Sequence, residues 1–139
     1  MSAPEARPIF CALSSHLTKG WLRAFLPVLV WATLVWLIGG MEEVPGDENV
    51  TKHFDEVAHL VMYGLLGFLS GRAWRLLGGG VTVGIVLVVL ALGMGGADEW
   101  RQLGLSGRTG SVTDWLADAV GVLSGFFLAA TYARQRQRT

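Results

Sequence analysis

Residues 21–40 read WLRAFLPVLVWATLVWLIGG, and after Arg23 the run carries no charge. About 20 apolar residues, rising ~1.5 Å each, span a hydrocarbon core of about 30 Å, so this run predicts a membrane-crossing helix. Trp21 and Trp36 lie near its two ends, where amphipathic indole rings favour the membrane–water interface. The rival reading is a cleaved signal peptide with Lys19 and Arg23 as its basic start. No small-x-small cleavage site follows, and the apolar run is long for such a core.

Composition agrees with the membrane reading. Of 139 residues, 52% are hydrophobic and only 16% charged, with mean hydropathy +0.47, too little charged surface for a soluble domain of this size. Residues 1–20 contain Pro4 and Pro8 and read as a mobile N-terminal lead-in. The single cysteine, Cys11, lies there and cannot form an internal disulfide. Beyond residue 40 the chain turns acidic, with Glu42, Glu43, Asp47 and Glu48 around the turn signal Pro45-Gly46. Three further apolar runs follow, at 52–75, 81–97 and 112–132. The valine-rich third run would suit a strand in water, but a lone strand cannot satisfy its backbone in lipid, so a helix is expected. The predicted fold is therefore all-α, an integral membrane four-helix bundle over residues 21–133, with a basic cytoplasmic tail at 134–139.

The charges sort by loop. Arg7, Lys19 and Arg23 precede the first run, Arg72 and Arg75 join the second to the third, and Arg134, Arg136 and Arg138 follow the fourth. These eight of the 11 basic residues fall on one side of a four-span path, and every acidic residue except Glu5 falls at or near the other. The positive-inside rule then puts both termini in the cytoplasm and the acidic segments on the outer, extracytoplasmic face of the membrane.

Polar residues interrupt these runs in a pattern. Asp55, His59 and Tyr63 recur at i, i+4 and i+8, one stripe descending about 12 Å along a helix face. Ionisable groups at such depth are expensive unless partnered and seldom face lipid. In the plainer reading Asp55 and His59 only pair and cap the helix, with Tyr63 as an interface anchor. Residues 97–121, ADEWRQLGLSGRTGSVTDWLADAVG, add a second concentration. Asp98 and Gln102 share a face with Glu99 beside them; if the third helix extends that far, these carboxylates sit where the helix dipole disfavours them and need a cation, a proton or donors. Arg101, Arg108 and His59 are candidates within the chain, and a divalent metal is the candidate outside it; a solvated acidic helix end is the bland alternative. Arg108, between Gly104 and Gly110, and Ser111 at a helix start could seat an anion. Ser111 with Asp114 resembles a capping box. Asp114, Asp118, Gly121 and Gly125 lie on one helical face, and Gly121-x-x-x-Gly125 is a close-packing signature that turns both aspartates toward the bundle.

Taken together, Asp55, His59 and Tyr63, then Asp98-Glu99 with Gln102, Gly107-Arg108, Ser111, Asp114 and Gly121, resemble the VanZ-like family of small bacterial integral membrane proteins. The match covers roughly residues 50–125. Glu56 stands where the family often has lysine, and Ser106 where proline is usual. The resemblance implies a multi-helix protein of the cell envelope, with a family-level association with glycopeptide (teicoplanin) resistance.

Three functions fit. The first is a protein that binds or acts on an anionic envelope or lipid-linked molecule at the outer face. The second is a membrane-embedded hydrolase or transferase working on an envelope lipid, with His59 as general base, Asp55 orienting it, Arg108 holding the anion, and Glu99 and Asp114 stabilising charge or holding a metal. The third is a transporter, disfavoured by four short helices without a repeat unless the protein oligomerises. No established catalytic or metal motif is present, and the cofactor stays open. The expected partners are membrane lipids and a lipid-linked envelope precursor rather than nucleic acid, with a homo-oligomer left open.

Overall fold

Four helices in chain order account for nearly all of the described chain: α1 (Ile9–Gly39), α2 (Glu48–Leu76), α3 (Val81–Gln102) and α4 (Val112–Arg136). The computed structural model describes residues 9–41, 48–104 and 110–136, with side chains over 20–41, 54–104 and 110–132. No strand occurs among the described residues. The helices outrun the apolar runs that predict them. α1 begins at Ile9, inside the stretch expected to be a mobile lead-in and directly after Pro8, a residue type compatible with a helix start. α3 continues past Ala97 to Gln102, so Asp98, Glu99 and Gln102 belong to its last turns. α4 extends to Arg136, into the basic tail.

α1, α3 and α4 each contain a segment long and apolar enough to cross a membrane: Gly20–Gly39, Val81–Gln102 and Val112–Tyr132. α2 falls short of that measure because His59, Tyr63, Ser70 and Arg72 interrupt it. It is the central helix, packed most extensively on α4 and also against α1 and α3. Burial is inverted relative to a water-soluble protein. His59, Asp98, Gln102 and Asp118 are buried while Leu26, Leu29, Val89, Leu90, Leu123 and Phe127 are exposed. An apolar exterior of that extent needs lipid or protein against it.

The tight α2–α4 contact comes from glycine. A Cβ on Gly121 would lie 2.6 Å from the Leu60 carbonyl oxygen and 2.8 Å from the Gly64 nitrogen. One on Gly71 would lie 2.7 Å from the Phe126 carbonyl oxygen. Small residues on both helices let the backbones touch, and in lipid that packing replaces the hydrophobic drive as the source of association.

The opposite end of the bundle is set by a different device. Pro27 lies inside α1 and has no N–H to give the carbonyl of Arg23, four residues earlier. Arg72 Nη1 donates to that carbonyl at 3.1 Å, tying α2 to α1 where α1 has lost its own bond. Gly78 and Gly79, with φ of 93° and 69°, then turn the chain into α3, and Trp74 Nε1 donates to the Gly80 carbonyl at 2.8 Å across that turn. Arg72→Ala should lower the thermal midpoint, at a cost of about 1 kcal/mol. The loss should shrink in a Pro27→Ala background, where residue 27 regains the donor. Equal losses in both backgrounds, measured by melting in detergent, would rule out this division of labour.

Candidate functional site

The C-terminal ends of α1 and α3 and the N-terminal halves of α2 and α4 meet at one end of the bundle, and the ionisable residues converge there. His59 is the hub. It is 1% exposed, and its Nδ1 lies 2.9 Å from Asp118 Oδ1 and 3.7 Å from Glu99 Oε1. Its Nε2 lies 4.0 Å from Asp55 Oδ1, one turn back on α2. Three helices thus bring three carboxylates around one imidazole.

The approach of α2 and α4 explains the shortest of these contacts. Gly121 sits one turn beyond Asp118, and because the backbones touch there, Asp118 reaches His59 directly across the interface. α3 yields room from the other side: a Cβ on Gly95 would lie 2.8 Å from Asp118 Oδ2. Asp118 is fully buried, and this second oxygen has no hydrogen-bond partner.

Glu99 is held by its other oxygen. The Ser111 N–H donates to Glu99 Oε2 at 2.7 Å, while Oε1 faces His59 without a hydrogen-bond partner. Ser111 also caps α4, its Oγ accepting from the Thr113 N–H at 3.2 Å. In a capping box the Ser111 N–H would be taken by the residue three positions on; Glu99 of α3 takes it here, so the cap and the site share a residue. Asp114 is buried in the first turn of α4, where the helix dipole favours a carboxylate.

A second group adjoins the first. The His59 and Tyr63 rings stack with centroids 6.1 Å apart and planes 9° apart. The fully buried Tyr63 donates its hydroxyl to Asp98 Oδ2 at 3.4 Å. Asp98, also fully buried, accepts from Arg101 Nη2 at 2.5 Å. Arg101 lies over the Trp36 ring of α1, 4.1 Å from its centroid. Gly39 leaves space for Asp98, since a Cβ there would lie 2.7 Å from Oδ1. Neighbouring residues on α3 therefore serve different partners, Asp98 the tyrosine and arginine, Glu99 the histidine. Gln102, one turn beyond, is buried with its amide nitrogen unpartnered.

The arrangement departs from the sequence reading in two ways. The close partner of His59 is Asp118 of α4, and Asp55 is the more distant one. Asp118, which the sequence turns inward without marking it as a site residue, is signalled only by its spacing of four from Asp114 and three from Gly121. Arg108 lies outside the described residues; of the other two cations expected for the carboxylates of α3, Arg101 pairs with Asp98 and His59 with Glu99.

Beside Glu99 an open apolar cleft of about 360 Å³ runs between the ends of α3 and α4. Trp100, Leu103, Val112 and Trp115 supply its walls, and Glu99 and Ser111 its polar edge. Chemically, the cluster offers a histidine with a buried carboxylate partner, two unpartnered carboxylate oxygens and an adjoining apolar surface. His59, Glu99 and Asp118 each present one potential ligand atom for a metal ion, all within 4.8 Å of one another.

Compared with known proteins, the chain matches the family model described as VanZ/LLP1 over residues 11–133. No curated protein and no solved structure matches it.

Proposed function

The chain belongs to the VanZ-like family, and on that premise we propose that it crosses the bacterial cytoplasmic membrane four times and binds a lipid-linked envelope molecule at the outer face. The observation that carries this reading is the cleft between α3 and α4, apolar on Trp100, Leu103, Val112 and Trp115 and polar where it reaches Glu99 and Ser111. That polarity suits a hydrocarbon chain along the helices with its headgroup at the His59 cluster. The outer placement rests on the eight basic residues grouped at the other end of the helical path. Arg108, the anion clamp expected from the sequence, is the positive charge proposed for an anionic headgroup. Any effect on teicoplanin susceptibility follows, on this reading, from altered envelope lipids or precursors.

The second reading, an envelope-lipid hydrolase or transferase, is favoured by one contact, the 2.9 Å pairing of His59 with the fully buried Asp118. A carboxylate on one ring nitrogen orients an imidazole for general-base work at the other. The two readings part on conservative substitution. An enzyme loses its effect on envelope lipid and precursor pools entirely with Asp118→Asn while protein level holds, whereas a binding protein loses it by degrees.

Two measurements test the proposal. Leu103→Ala with Trp115→Ala should reduce co-purifying lipid at least about tenfold, because trimming two apolar walls removes more than ~1.4 kcal/mol of burial. An unchanged lipid complement would eliminate the cleft as the binding surface. A cysteine at Asp47, in a Cys11→Ser background, should react with a membrane-impermeant maleimide in intact cells; labelling only after lysis would reverse the topology.

A further inference from the structure

We infer that His59, Glu99 and Asp118 form a site for a divalent transition-metal ion, of the zinc or manganese class, between α2, α3 and α4. Three observations carry this, and none depends on the lipid proposal.

The first is geometry. Ligand atoms about 2.0–2.1 Å from a tetrahedral zinc ion lie ~3.3 Å from one another. His59 Nδ1 is 2.9 Å from Asp118 Oδ1 and 3.7 Å from Glu99 Oε1, separations that bracket that value. Side-chain shifts of a few tenths of an ångström bring both to it. The three residues come from three helices, so the packing that forms the bundle also forms the site.

The second is an orphaned oxygen. Glu99 Oε1 is buried without a hydrogen-bond partner and faces His59 Nδ1, and Asp118, with no exposed surface at all, presents Oδ1 to the same nitrogen. A carboxylate oxygen shut off from water needs a donor or a cation. The Ser111 N–H bond to Glu99 Oε2 leaves Oε1 directed at the imidazole, the way an outer-shell partner orients a ligating carboxylate.

The third is charge. Arg101 answers Asp98, which leaves Glu99, Asp118 and, at 4.0 Å, Asp55 around one imidazole. A protonated His59 supplies one positive charge against these carboxylates, whereas a divalent ion on a neutral imidazole supplies two, so the ion leaves less negative charge uncompensated in a low-dielectric interior. On binding, the ion replaces the proton shared by His59 Nδ1 and Asp118 Oδ1; the remaining ring proton sits on Nε2, toward Asp55, 4.0 Å away. One imidazole and two carboxylates suit zinc or manganese better than copper(I), which prefers sulfur. Three protein ligands leave a coordination position for water or another oxygen ligand.

The test uses the full chain in detergent, stripped with EDTA and titrated with Zn²⁺, Mn²⁺ and Co²⁺ alone. One equivalent per chain should bind, with Co²⁺ giving a visible absorption band that Zn²⁺ displaces. His59→Asn and Glu99→Gln should each weaken binding at least about tenfold. Glu99→Gln keeps an acceptor for the Ser111 N–H, and circular dichroism and elution volume check that each variant is folded. His16→Asn and His53→Asn, which change the other two histidines, should leave binding intact. Absence of stoichiometric binding by all three ions, full affinity in folded His59→Asn and Glu99→Gln, or loss on changing His16 or His53 would each overturn the inference. Lipid plays no part in the titration, so its failure leaves the cleft proposal standing, and the converse holds.

Discussion

Gly125→Leu is expected to abolish accumulation of folded protein. A Cβ at residue 125 would overlap the Gly64 carbonyl oxygen and lie 2.8 Å from the Phe68 nitrogen, so the obstruction is backbone and cannot rotate away. Where side chains can adjust, overpacking costs about 1–3 kcal/mol; a clash between two helix backbones exceeds that. The consequence is severe because lipid tails are as apolar as leucine and give separated helices no reason to rejoin. The same separation would draw Asp118 away from His59, so the site fails with the fold. Gly93→Leu is the matched control, since a Cβ on that exposed α3 glycine meets nothing within 4 Å. Detergent-solubilised yield and melting midpoint, compared for the two variants, decide the matter. Equal behaviour would show that the α2–α4 interface can open without penalty.

The second large effect concerns Asp98. Arg101→Ala would leave its fully buried carboxylate, among the described residues, with only the Tyr63 hydroxyl at 3.4 Å, and removing one partner of a buried ion pair costs about 3–5 kcal/mol. Arg101 is 26% exposed, so the low end of that range applies. The contact with Trp36 adds ~0.5–1 kcal/mol to the loss. Asp98→Asn combined with Arg101→Ala should regain most of the stability, because a neutral amide needs no counterion yet can still accept from Tyr63. Thermal unfolding of the two single variants and the double variant gives the coupling. A double variant no more stable than Arg101→Ala alone would mean that the stored charge is not what Arg101 relieves.

These effects fall on residues that were unequally legible beforehand. The Asp55–His59–Tyr63 stripe follows from helical spacing alone, and its inward direction follows from the cost of charge in lipid. Gly121 and Gly125 announce close packing by their interval, but their partners Gly64, Gly67 and Gly71 were not picked out, since glycine in an apolar helix is common. Arg101 was one of three cations named for the carboxylates of α3. Its pairing with Asp98 needed the last turn of α3 to be helical, which places the two one turn apart.

By itself the sequence determined four helices, their order, and the gathering of ionisable residues toward one end, because apolar run length and alternating charge are local properties of the chain. The tertiary structure alone decided which carboxylate meets which partner. Asp98 and Glu99 are consecutive, about 100° apart around α3, and only the helix's rotation assigns one to Arg101 and the other to His59. Asp118 reaches His59 across 59 positions of sequence because glycines let α2 and α4 touch. Helix rotation and spacing are settled by packing between distant segments, and no single segment carries that information.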